Sequence, residues 1–369
     1  MDVAAREATP ADNQALLALA ASCPMEGDIG LCVNRAPDFF ALNRLEGQYW
    51  RVGVVDGPDG APVGCIAYSE RVACVHGRPT LTGYASDLKV HPAHRNRVVA
   101  DALIRFARDL SRARIGPRGM VLSTILLGNR SAERRISAPR GLPRVLPFAT
   151  VRARSVPLLW RRRLPRGAGL TVSRADERDL EEMAALWQRV SAGRQFAPAH
   201  DAGSLRRWID DAPALDLSSF WLARDRQGRL AGFFGLWDQD GFKQLRVTGY
   251  SRRLALVRAG FNLVAPWIDT ARLPPEGSPL RCLTAVNVCV PSDRPDVLRA
   301  LVLTAYDALR GKGYAFFTVA LDRKDPLGAA LEGLGAQPTD IRACISAPEG
   351  TYDGPPLDDR PVHFEVALV

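Results

Sequence analysis

Apolar residues in the first half of the chain alternate between two spacings. Thr9, Pro10 and Asp12 form a capping arrangement ahead of Leu16, Leu17 and Leu19, which predicts a helix to about residue 22. Residues 50–55 and 63–69 read as strands around a turn at 56–60, and 72–75 with 81–90 as a pair across His76-Gly77-Arg78-Pro79. From residue 96 the apolar positions Val98, Val99, Ala102, Leu103, Phe106, Ala107 and Leu110 fall at helical spacing with one buried face. A strand at 120–127 follows, and after it comes a segment, 130–166, rich in Arg and Pro.

The programme then starts again. Asp176 to Asp179 restore the cap of residues 9–12 at a shift of 167, and Gln227 to Gly232 repeat Asp59 to Gly64 at a shift of 168. Two anchors at nearly one offset indicate a duplicated unit. The second copy carries an insertion at 251–279, a strand at 280–290, a helix from Pro295, a strand at 314–321, a turn-rich loop at 347–361 and a closing strand at 362–369. Mixed element order of this kind predicts an α/β (mixed α+β) fold. The division expected is an N-terminal domain at 1–160, an Arg-rich linker at 161–168 and a C-terminal domain at 169–369.

The most informative stretch is 81–110, a strand stopped by Pro92 and followed by a helix with Arg95 and Arg97 at its start. Unpaired N–H groups and the positive end of the helix dipole, reinforced by two arginines, suit a phosphate. The segment Leu88-Lys89-Val90-His91-Pro92-Ala93-His94-Arg95-Asn96-Arg97-Val98-Val99-Ala100-Asp101-Ala102-Leu103 resembles the acetyl-CoA-binding segment of the GNAT (GCN5-related N-acetyltransferase) superfamily. That family often has R-G-R-G-V-A-x-A-L here. Both arginines, Val99, Ala100, Ala102 and Leu103 match, whereas Asn96 and Val98 replace the glycines.

The resemblance extends over residues 3–160 and, more faintly, 169–346. It implies two tandem lobes, each a central, mostly antiparallel sheet flanked by helices, and acyl transfer from acetyl-CoA or another acyl-CoA to an amine. The cofactor would be held by Leu88, Val90, Arg95, Arg97, Val98, Val99, Ala100 and Asn129. Backbone N–H groups of the strand near residues 88–90 would face the thioester oxygen. The tyrosine that often follows the family's post-strand Asn falls here at Ile136. Glycine lets a phosphate approach the backbone closely, so Val98 weakens the cradle. The contrasting expectation is a non-catalytic GNAT-fold module that binds acyl-CoA or another anionic ligand. In the second copy the loop is Pro291-Ser292-Asp293-Arg294-Pro295-Asp296, where carboxylates repel phosphate, so this copy reads as degenerate.

Charge and composition refine this picture. The net charge is +9, and residues 130–166 alone hold eleven arginines against one acidic residue, Glu133, so the rest of the chain is nearly neutral. Arg134, Arg135, Arg140 and Arg144 suggest an anion-facing surface, and Arg161-Arg162-Arg163 a solvated linker. Only Phe148 and Trp160 fall among these arginines, too few for a run of stacked bases, which disfavours nucleic-acid stacking. The seven cysteines form no C-x-x-C pair and, with five scattered histidines, no metal set; they read as reduced thiols of a cytoplasmic protein. Neither a signal peptide nor a transmembrane run is expected. Glu26, Asp28 and Arg35 are the polar groups of the loop at 24–40, where the resemblance places the pocket for a small-molecule or peptide amine, anionic ones included. Asp87 is the candidate catalytic base, since a buried carboxylate with a raised pKa accepts an ammonium proton near neutrality.

Overall fold

The computed structural model describes residues 3–25, 27–95, 97–129, 132–133, 141–162 and 169–369. Its strands are β1 (Arg6–Glu7), β2 (Ile29–Asn34), β3 (Tyr49–Asp56), β4 (Pro62–Val75), β5 (Arg78–Val90), β6 (Val121–Leu126), β7 (Leu146–Pro157), β8 (Thr171–Arg174), β9 (Ala197–Pro198), β10 (Phe220–Arg224), β11 (Leu230–Asp238), β12 (Gln244–Tyr250), β13 (Cys282–Cys289), β14 (Phe316–Asp322) and β15 (Gln337–Ser346). The helices are α1 (Asn13–Ala21), α2 (Asn43–Glu46), α3 (Arg97–Ile115), α4 (Leu180–Ser191), α5 (Ala202–Asp211), α6 (Arg252–Val264) and α7 (Pro295–Leu309).

One 13-stranded sheet runs β1-β3-β4-β5-β6-β15-β7-β14-β13-β11-β10-β8, with β9 on β4; β2 and β12 pair separately. The pairing is antiparallel except at β5–β6 and β13–β14. Both parallel contacts last only three residues: Gly83↔Val121 to Ala85↔Ser123, and Cys282↔Phe316 to Thr284↔Thr318. Beyond these vertices β5 no longer pairs with β6, nor β13 with β14, which leaves two V-shaped gaps.

Equivalent devices build both gaps. Each opening cap is a reciprocal capping box, Thr9 with Asp12 and Asp176 with Asp179. Opposite Ile66, β5 carries two residues, Asp87 and Leu88; opposite Phe234, β13 carries Asn287 and Val288. Asp87 (φ 53°) and Asn287 (φ 48°) occupy the left-handed region, which Asp and Asn tolerate better than bulkier residues. A Cβ at Gly64 would lie 2.9 Å from Val99 Cγ1 of α3, and one at Gly232 2.8 Å from Val297 Cγ1 of α7. The missing side chain lets each helix close onto its sheet.

Three expectations need correction. Residues 146–157, inside the Arg-rich segment, form β7: Arg152 pairs with Asp340 at 2.7 Å, and Arg154 donates to the Gly328 carbonyl at 2.6 Å. β7 sits between β14 and β15, and β15 between β6 and β7, so the two halves exchange a strand. Of the expected linker triplet, Arg162 bonds the Gly333 and Leu334 carbonyls. Residues 362–369 are not a strand; they form an irregular tail with a 3-10 turn at Val366–Leu368. Lastly, Leu81 and Leu88 are 46% and 42% exposed, so β5 is buried only in part.

Candidate active site

The first gap opens between residues 86–90 of β5 and the end of β6. At its vertex Tyr84 Oη and Thr124 Oγ1 lie 3.2 Å apart. Cross-strand pairs on antiparallel strands share a face, so Ser86 (opposite Ala67), Tyr84 (opposite Ser69) and Arg71 (opposite Thr82) line one side of the sheet. On the other side Tyr68 packs with α3. Helix α2 covers the polar side and contributes Asn43 and Glu46, both buried.

Glu46 accepts from Ser86 Oγ at 3.1 Å and 3.3 Å. Burial, then the negative charge of Asp87, push its carboxyl up to about 7. The sequence offered no direct sign of Glu46. The available signal was Gly47, where a Cβ would lie 2.1 Å from the Glu70 carbonyl oxygen, marking how tightly α2 ends against β4.

Asp87, the base expected from the sequence, is at the site but in the wrong electrostatic state. Burial alone would raise its carboxyl, yet ion pairs with Arg35 and Lys89 hold it well below the usual carboxylate range. A carboxylate so stabilised accepts protons poorly. Asp87 and Leu88 stand outside the register with β4, and no side chain among the described residues bonds their amides.

The other expected residues divide by location. Arg35 is buried, pairs with Asp87, donates to Asn43 Oδ1 at 3.2 Å and stacks 4.4 Å from the Phe39 ring. Asp28 is exposed before the far end of β2 and is not drawn into the cluster. Glu26, Arg134, Arg135, Arg140 and Ile136 fall outside the described residues. Arg144 is exposed and its N–H donates to the Gly350 carbonyl. Val90 ends β5, and a 3-10 turn at Pro92–His94 leads into α3. Arg95 and Arg97 are exposed there without an ion pair among the described residues. Val99 and Ala100 are buried against the sheet, whereas Val98 is 48% exposed. Asn129 lies just past β6, and its Oδ1 caps the Ala132 N–H at 3.2 Å.

The second gap is filled. The tail enters where Val362 N–H donates to Asp322 Oδ2 at 2.8 Å. Glu365 Oε1 then takes the Asn287 N–H at 3.0 Å, the bulge amide equivalent to that of Asp87, and lies 2.7 Å from His363 Nε2. Gln239 and Lys243 both donate to the Ala367 carbonyl at 2.9 Å. At the helix start of this half, Arg294 is tied to Asp296 by two bonds of 2.9 Å. Among the described residues no His, Cys, Asp or Glu cluster could hold a metal, and no helix is long and apolar enough to cross a membrane.

No protein-family model matches the chain. Over 226 residues, 58% of this chain and 69% of the relative, it is 30% identical to the mycothiol acetyltransferase of Clavibacter sepedonicus. It is 31% identical over 223 residues to that of Clavibacter michiganensis subsp. michiganensis, spanning 66% of the relative. Among solved structures, a GCN5-related N-acetyltransferase from Sphaerobacter thermophilus aligns with a TM-score of 0.60 at 16% identity, covering 93% of this chain and 95% of its own. The Saccharomyces cerevisiae N-myristoyltransferase with bound myristoyl-CoA aligns at 0.62 and 14%, covering 97% and 87%. A tandem GNAT protein from the clavulanic acid biosynthesis pathway aligns at 0.55 and 15%, covering 93% and 97%. The chain belongs to the GCN5-related N-acetyltransferase superfamily, among its tandem members. Acyl transfer is the reaction class of these relatives.

Proposed function

We propose that the protein transfers an acetyl or other short acyl group from acyl-CoA to an amine, using the first gap alone. The observation that carries this reading is the contrast between the gaps: one is lined by a buried carboxyl poised near neutrality, and the other is closed by the chain's own tail. In this reading residues 1–160 form the catalytic lobe, 161–168 connect the lobes, and 169–369 support the acceptor side.

Arg95 and Arg97, with the amides of Val98, Val99 and Ala100 at the start of α3, hold the CoA phosphates. Leu88 and Val90 line the arm of the cofactor, and Asn129 fixes the turn after β6. The half-exposed Val98 side chain replaces the close approach that glycine allows, so the two guanidinium groups carry more of the binding. Glu46 takes the ammonium proton and frees the nitrogen lone pair. A new C–N bond forms as the thioester C–S bond breaks; the thiolate leaves with the electron pair and takes up the second proton that the nitrogen sheds. The amides of the Asp87–Leu88 bulge face the charge that grows on the thioester oxygen. Asp87 holds Arg35 and Lys89 in place, and its negative charge helps keep the Glu46 carboxyl high. The name of the curated relatives supports acetyl as the acyl group.

Thermal unfolding with acetyl-CoA and thiol release over an amine panel test the reading. A ligand at 100 times its Kd stabilises by about 2.7 kcal/mol. Stabilisation with thiol release is expected. Stabilisation without release across the panel means a non-catalytic acyl-CoA-binding module, and no stabilisation at millimolar acetyl-CoA removes the reading altogether.

A further inference from the structure

Arg71 is the charged group on the polar face of β4 that the reaction above leaves unused. Burial lowers its pKa, yet the residue keeps part of its surface accessible, so a small ligand can reach it. Its guanidinium makes no hydrogen bond or ion pair among the described residues. A partly buried guanidinium with five N–H donors and no protein acceptor among the described residues is well placed to take an anionic partner. Two carboxylates act on Arg71 through space, Glu46 and Glu365, but both are engaged elsewhere. Glu46 is bonded by Ser86, and Glu365 by the Asn287 amide and His363. The nearby His200 is kept neutral by burial, which pushes it down to about 4.

The order of groups along this face is directional. The Asp87–Leu88 bulge comes first, then Ser86 with Glu46, then Tyr84, then Arg71 opposite Thr82. An acceptor whose nitrogen meets Glu46 would extend past Tyr84 toward the guanidinium.

We propose that Arg71 binds a single carboxylate of the acceptor, making the substrate an amine that carries a carboxylate at its other end. A planar guanidinium matches a carboxylate through two parallel N–H···O bonds. Glu46 and Glu365 repel a monoanion less than a phosphate dianion, which favours a carboxylate. The proposal rests on the acyl-transfer reading of the first gap, and its test separates the two.

Glycine, β-alanine, γ-aminobutyrate and glycylglycine would be compared as acceptors with their carboxamides, following thiol release from acetyl-CoA. The best acid should exceed its amide at least ~30-fold in kcat/KM, mostly through KM, as expected for a buried charge pair that is lost. R71M should bring that acid down to its amide while changing the amide rate less than about threefold, and R71K should retain part of the preference. Equal turnover of acid and amide by the wild-type protein overturns the proposal and leaves the reaction intact; this comparison needs no variant. If no amine is acylated, melting temperatures decide. Stabilisation by the acids but not the amides, lost in R71M, keeps the carboxylate site while the reaction fails. Stabilisation by neither class removes both, and equal stabilisation by inorganic phosphate removes the assignment to carboxylates.

Discussion

The two V-shaped gaps have the same construction and opposite contents. Both follow a three-residue parallel contact, and both have a two-residue bulge with its first residue in the left-handed region. Both face a helix packed onto a glycine. In the second gap the bulge amide already holds the Glu365 carboxylate, and the arginine at the helix start is neutralised by Asp296. In the first gap the bulge amides meet no side chain among the described residues, Arg95 and Arg97 are exposed, and Glu46 is buried under α2 on the polar face of the sheet. A duplicated scaffold keeps its backbone devices because they are needed to fold the sheet. Side chains and tails then decide whether the gap is a site or part of the core.

Removing the base should break the contrast most strongly. E46Q is expected to lower kcat/KM by about 10²–10⁴-fold, the usual worth of a positioned proton acceptor. The wild-type profile should rise with pH through about 7 and then level off, and E46Q should lose that limb. The same group governs stability. Its folded pKa is raised, so its contribution is complete below the ordinary carboxylate range and is lost as pH rises through about 7. Urea unfolding at pH 5 and pH 8 should therefore show E46Q gaining on the wild type at pH 8 by roughly 3 kcal/mol.

D87N comes next. It leaves the buried Arg35 and the partly exposed Lys89 with a neutral partner, and a loss of about 3 kcal/mol is expected in denaturant unfolding. An unchanged midpoint would show that the cluster is more hydrated than its burial implies. A smaller effect follows from the double variant R95A/R97A, which should weaken CoA binding by about 10- to 100-fold in calorimetric titration, with a shallower salt dependence. R294A should leave CoA binding unchanged, and equal losses from both would make the second gap a binding site too. Smallest is E365A, which strands the buried Asn287 N–H and should cost about 1–3 kcal/mol without adding a CoA site.

Much of the framework was legible because its signals are local. The caps at Thr9 and Asp176, the turns at Asp59 and Gln227 and the apolar stripe of α3 each depend on residues within a few positions. The exchange of β7 and β15 was not legible. Residues 146–157 read only as part of an Arg-rich segment because the partners of their arginines, Asp340 and Gly328, lie 188 and 174 residues away in the chain. The tail at 362–369 alternates like a strand, but its acceptors are spent on a bulge amide and its neighbours rather than on a ladder.

The site shows the same division. Arg95, Arg97 and the run to Leu103 mark a helix start flanked by two arginines by residue type and spacing, and the sequence alone determined that. It also determined the duplicated order of elements and the unequal loops of the two copies. Which carboxylate could act as a base was decided by the tertiary structure. Asp87 and Glu46 are both acidic residues near one gap, but a proton affinity is set by what surrounds the group. Two cations hold Asp87 ionised; burial and the charge of Asp87 raise Glu46. The lack of a partner for Arg71 among the described residues and the closing of the second gap by residues 362–369 likewise belong to the tertiary structure. Both depend on which distant segments are packed against a strand, and no local pattern carries that information.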